Sequence, residues 1–260
     1  MKLRTAGALD GFVWARSGVR LLLSQPLAVA ALFGVMLFGL GLLMLVPWVG
    51  PLLASALLPA LSAGWVHATE QMLTGVRPTP ALLLAPLRSP HRVALLQLGG
   101  WHAAAIVLLM ALAELLVPSL GASVDLSGGS AGDGPSADAL QMFSTEMMVR
   151  QVFLVPVALM FWHAPVLIYR EGYSVAKALF ASCVASARNL GAFVVYGLCW
   201  MALSGLAGGL LALLSMPALV LVVAVPVAMG LSGAFYASLQ ASVHGCIDFG
   251  DTAADETPCA

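Results

Sequence analysis

Charge is what this chain has least of: only 9% of its 260 residues are Asp, Glu, Lys or Arg, while 61% are hydrophobic. A soluble fold of this length has too little interior to hide so much apolar surface. A mean hydropathy of +0.98 makes lipid the solvent for most of the chain. No long basic run is present, which argues against nucleic acid as a partner. The four cysteines, Cys183, Cys199, Cys246 and Cys259, lack the paired spacing of a zinc site or a disulfide framework. Walker, dinucleotide-binding, zinc-hydrolase and kinase motifs are missing as well. The expectation is therefore a protein that is not an enzyme and carries no cofactor. A cleavable signal is not expected either, because roughly twenty-five residues precede the first long apolar run and that run exceeds a signal-peptide core.

What the chain does have is long apolar runs. A window of about 20 residues marks six spans, at Leu27–Val46, Leu52–Ala68, Val93–Val117, Val149–Tyr169, Ala192–Leu214 and Ala218–Ala241. Lysine and arginine then fall on one side only. Lys2, Arg4, Arg16 and Arg20 precede the first span; Arg77, Arg88 and Arg92 lie between the second and third; Arg170, Lys177 and Arg188 lie between the fourth and fifth. The alternate loops, Pro47–Pro51, Pro118–Met148 and Ser215–Pro217, hold Asp125, Asp133, Asp138 and Glu146 but no cation. By the positive-inside rule both termini are expected to be cytosolic. The expected organisation is an N-terminal interfacial segment over 1–26, a six-span domain over 27–245 with a flexible Gly/Ser-rich outer loop at 118–148, and a cytosolic tail from 246 to 260.

Between the spans the pattern changes. Val175, Leu179 and Cys183 recur every four residues beside Phe180, Val184 and Ala187, interrupted by Ser174, Lys177, Ser186 and Arg188, as in an amphipathic helix lying on the inner leaflet. Gly11–Gln25 has the same character, whereas Pro78–Pro90 is too rich in proline for one continuous helix. Interfacial segment, span, outer turn and returning span form a weak repeat, and each returning span holds an interior proline: Pro59, Pro156 and Pro226. The fold class is all-α integral membrane, with six transmembrane helices as three hairpins and cytosolic interfacial segments.

Several stretches carry a resemblance. They are Phe161-Trp162-His163-Ala164-Pro165-Val166-Leu167, then Ala178, Ser182, Ala185, Arg188-Asn189, Phe193 and Tyr196-Gly197, with Val46–Pro51, Leu58–Gly64, Val225–Val227 and Tyr236–Ser238. Together they resemble an uncharacterised family of six-helix inner-membrane proteins from Gram-negative bacteria. A looser likeness is to the membrane domain attached to some glycerophosphodiester phosphodiesterases. The resemblance implies a six-helix bundle and brings no reaction or ligand, so Pro165, Ser182, Arg188, Asn189 and Tyr196 stand as signature positions of unknown role. After Ser238 the chain departs from the family pattern, reading Leu239-Gln240-Ala241-Ser242-Val243-His244.

Ionisable groups inside spans are costly and draw attention first. Glu114 and Arg150 fall at matching depths near the outer ends of the third and fourth spans, as an ion pair or as two groups reaching water. His67, His102, His163 and His244 lie toward the inner ends of four spans, and His102 and His163 on similar levels could clamp a haem or a metal. Trp65, Trp101 and Trp162 beside them favour an interfacial aromatic belt instead. Gly230-Leu231-Ser232-Gly233 is similar to an intramembrane serine-protease motif, but close helix contact explains it better, as it does Gly205-Leu206-Ala207-Gly208-Gly209. Two functions follow. One is a non-catalytic scaffold, accessory subunit or assembly factor, whose partners are the lipid bilayer and another membrane protein or a second copy of the chain. The alternative is a permease or lipid-handling protein, drawn from the repeated proline-broken spans.

Overall fold

The computed structural model describes residues 2–116, 154–213 and 217–250. A two-residue strand, β1 (Lys2–Leu3), leads into α1 (Asp10–Ser24) and α2 (Pro26–Met44). Proline at the first position of α2 suits a turn whose N–H groups have no internal acceptor. The chain reverses at Pro47-Trp48, where Trp48 takes φ 63°, and returns as α3 (Val49–Leu73) with Pro59 inside it. The proline-rich segment forms two single turns, α4 (Pro80–Leu83) and α5 (Ala85–Arg88), before the long α6 (Arg92–Leu116). Beyond 153 come α7 (154–161), α8 (Ala164–Glu171), α9 (Val175–Arg188), α10 (Leu190–Ala212), α11 (Pro217–Cys246) and β2 (Ile247–Asp248).

Among the described residues five helices are long and apolar enough to cross a membrane: Pro26–Met44, Val49–Leu73, Arg92–Leu115, Leu190–Ala212 and Val222–Cys246. They cover five of the six expected spans with shifted ends, α3 and α11 each running several residues further inward. The fourth, 149–169, is different. Its first residues and the loop 118–148 lie outside the described residues, and the remainder is interrupted at Trp162-His163 between α7 and α8. The chain breaks ahead of Pro165 and not at Pro156; Pro165 sits in the first turn of α8, where its missing N–H is tolerated.

The first interfacial segment is packed more tightly than expected. α1 does not simply float on a leaflet: it crosses α10 and α11 at close quarters and buries Trp14, Ala15 and Leu21. A Cβ on Gly11 would meet the Ala192 carbonyl oxygen at 2.0 Å, and one on Gly18 the Ala234 oxygen at 2.1 Å. α9 buries its small face, Ala178, Ser182, Ala185 and Ser186. The Val175–Cys183 stripe is left partly exposed, with Phe180 beside it 73% exposed, in keeping with an apolar face turned to a leaflet. The segment from 246 does not start as a loose tail. Ile247 and Asp248 pair antiparallel with Leu3 and Lys2, and Cys246 and Ile247 are wholly buried.

Candidate functional site

Four places hold the polar atoms that this apolar bundle must satisfy, since an unpaired group in hydrocarbon costs several kcal/mol. The first is Pro59. Lacking an N–H, it cannot bond the Ser55 carbonyl one turn earlier. His102 on α6 takes that role, its Nδ1 donating to Ser55 O at 2.8 Å while its ring lies edge-on to Phe161. One of the histidines singled out for haem or metal is thus engaged in repairing a proline gap.

The second is the break between α7 and α8. In an unbroken helix His163 N would donate to Leu159 O. Here it donates to Ser182 Oγ at 3.0 Å, and Leu159 O accepts from Ser186 Oγ at 2.9 Å and Ser182 Oγ at 3.3 Å. Two hydroxyls one helical turn apart on α9 therefore satisfy the His163 N–H and reinforce the Leu159 carbonyl, which otherwise accepts only a long 3.4 Å bond from Trp162 N. The His163 side chain is fully buried against Phe193, with Nδ1 3.4 Å from Ser186 Oγ. His102 and His163 make these separate contacts, and among the described residues no group of three His, Cys, Asp or Glu side chains is placed to hold a metal ion.

The third gathers the remaining signature residues. Asn189 donates to Arg4 O at 3.1 Å and Ala185 O at 2.8 Å, and accepts from Ala6 N at 2.6 Å, tying the N-terminal segment to α9. Arg188 reaches Thr5 Oγ1 at 3.3 Å. Tyr196 OH lies 2.6 Å from Ser238 Oγ, bridging α10 to α11. Pro165 sits buried in the first turn of α8.

The fourth was not anticipated. Glu70 of α3 binds Arg170 of α8 through one carboxylate oxygen, and His244 Nε2 of α11 at 2.8 Å through the other. Phe249, just past β2, caps both partners of Glu70, its ring 4.9 Å from the Arg170 guanidinium and 5.6 Å from the His244 ring. Glu70 lies two residues beyond the expected end of the second span. Its signal was a carboxylate at the edge of a span, within the helix and close to the apolar run, where such a group needs a partner. The arrangement locks three helix ends together at one end of the bundle.

Aromatic packing corrects the belt expectation. Trp65 is wholly buried and stacks on Tyr236 at 5.6 Å. Trp162 sits among Phe193, Tyr196 and Phe235 at 5.3, 5.8 and 6.0 Å, and donates its indole N–H to Ser242 Oγ at 2.9 Å. Only Trp101 of the three is largely exposed, at 64%. Phe235 borders three apolar clefts of about 180, 360 and 250 Å³, with Ser232 on the last of them. Glu114 is exposed near the C-terminal end of α6, and Arg150 lies outside the described residues.

A protein of Burkholderia thailandensis named "Probable inner membrane protein BTH_II0599" is 33% identical over 265 residues, covering 99% of this chain and 98% of that one. The chain belongs to that inner-membrane family. No family model matches it, and no solved structure does. Membership agrees with the five long apolar helices and with the first resemblance. The looser likeness to the phosphodiesterase membrane domain rests on its quoted residues alone.

Proposed function

We propose that this inner-membrane protein is non-catalytic and acts as a scaffold or accessory subunit, holding another membrane helix against the outer half of α10. The observation that carries this is the gathering of four open glycines on α10, two of them at helix-pairing spacing, which the open Gly39 and Gly41 of α2 lack. Gly197, Gly205, Gly208 and Gly209 have nothing within 4 Å of where a Cβ would be, and Leu206, Leu210 and Leu213 around them are 62%, 58% and 78% exposed. Glycine inside a helix costs about 1 kcal/mol relative to alanine, and close approach of a second helix is what usually offsets it. Gly11 and Gly18 of α1 serve such approaches within the chain, whereas the α10 set finds no neighbour among the described residues. Gly205 and Gly209 keep the G-x-x-x-G spacing of a helix-pairing face.

Both termini are cytosolic in this reading, which draws support from the one-sided distribution of lysine and arginine and from the pairing of β1 with β2. The test is extraction from the native membrane in a lipid-retaining polymer, followed by native mass measurement. A stoichiometric protein partner or a second copy is expected with the wild type, and its loss with the Gly205→Leu/Gly209→Leu double variant. A lone chain in both preparations overturns the reading. The lipid-handling alternative is favoured by the three apolar clefts around Phe235, and in the same experiment it calls for a lone chain carrying lipid.

A further inference from the structure

At the start of α2 a positive end and an apolar trough meet. Pro26 has no N–H, Gln25 gives no side-chain cap, and the N–H groups of Leu27 and Ala28 have no acceptor among the described residues. Such a helix start carries partial positive charge. A second, independent cation stands beside it. Arg77 is exposed and makes no hydrogen bond or ion pair among the described residues. Its backbone is preset: Gly75 turns the chain at φ 84°, Val76 N donates to Gln71 O at 3.0 Å, and Pro78 holds the preceding residue extended.

From this mouth a groove of about 650 Å³ runs along one face of α2, past Leu27, Ala28, Ala31, Leu32 and Val35. Gln25 to Val35 spans about 15 Å at 1.5 Å per residue, half the roughly 30 Å of a bilayer's hydrocarbon core. Apolar wall and charged mouth thus stand in the order of a phospholipid's tail and head, over the depth of one leaflet. No acidic side chain lines the groove among the described residues, so a choline or ethanolamine ammonium finds no counter-charge there.

We propose that this groove holds one phospholipid with a net anionic headgroup, its phosphate against Arg77 and the first-turn N–H groups of Leu27 and Ala28, and an acyl chain along Ala31 to Val35. The site is independent of the α10 surface. It is tested on the full chain in nanodiscs of equal phosphatidylglycerol and phosphatidylcholine, by native mass spectrometry of the lipids that remain bound after release. Wild-type protein is expected to retain phosphatidylglycerol about fivefold over phosphatidylcholine, the preference that one interfacial arginine supports. Arg77→Gln, at an exposed loop position, brings the ratio to about one, and Arg88→Gln leaves it unchanged. Ala31→Trp fills the trough and lowers retention of both lipids, with helical circular dichroism and elution volume as checks of folding. A wild-type ratio near one, or a preference that survives Arg77→Gln, overturns the proposal. So does displacement of the bound lipid by millimolar inorganic phosphate, which would make the mouth a site for the free ion.

Discussion

Asn189 satisfies three backbone groups at once and is 1% exposed, so truncating it strands donors and acceptors that lipid cannot solvate. Each buried group left unpaired costs about 1–3 kcal/mol. Asn189→Ala is expected to lower stability by about 2–3 kcal/mol, read as a fall in thermal midpoint in nanodiscs and as faster amide exchange at Ala6. Arg188→Ala next door removes one exposed 3.3 Å contact and should change stability by less than about 0.5 kcal/mol. Equal effects of the two would mean that Asn189 does not hold the N-terminal segment. At this scale the sequence pointed to several of the right residues without their partners. Ser182 stood out through the resemblance, but only the break at Trp162-His163 explains why a hydroxyl is needed there. His102 stood out as an ionisable group in a span, and the carbonyl it serves belongs to a proline gap in another helix.

Helices in this bundle are positioned by where backbone can touch backbone. Alanine in place of glycine in an open helix should stabilise by up to about 1 kcal/mol, and Gly39 of α2, with nothing within 4 Å, is such a position. Gly18 of α1 is the opposite case, because a Cβ there lies 2.1 Å from the Ala234 carbonyl oxygen, and backbone cannot step aside as a flexible side chain can. Gly18→Ala is expected to destabilise by about 3 kcal/mol and Gly39→Ala to stabilise slightly; a shared sign in thermal unfolding would contradict the close crossing of α1 and α11. Periodicity made α1 and α9 legible as amphipathic helices. It did not tell which face would be buried, because small residues such as Ala178 and Ser182 pack more closely than the larger Val175 and Phe180, and hydrophobicity alone does not rank that advantage.

Across the described residues, the Glu70 cluster and the β1–β2 pair gather the ends of α3, α8 and α11 with Lys2–Leu3 and Ile247–Asp248 at one end of the bundle. Sidedness follows as a prediction. Cys183 is exposed, Cys199 half-buried and Cys246 buried, so with Cys259→Ser the Cys183 thiol is the one open to a membrane-impermeant maleimide. Labelling is expected in inverted vesicles and not in spheroplasts, and adding Ser130→Cys in the expected outer loop should make spheroplasts reactive. Reaction of Cys183 from outside would reverse the orientation.

Lipid as solvent, the places of most long helices and the one-sided distribution of lysine and arginine were decided by the sequence itself. These depend on local averages of hydropathy and on where lysine and arginine fall, and both survive without knowing any neighbour. The tertiary structure decided what depends on partners far along the chain. His102 meets a carbonyl 47 residues away, Trp162 a serine 80 away, Glu70 an arginine 100 away, and Asn189 the N-terminal backbone 183 and 185 residues back. A polar group in an apolar run states only that it needs a partner; which one it receives is set by how the helices cross.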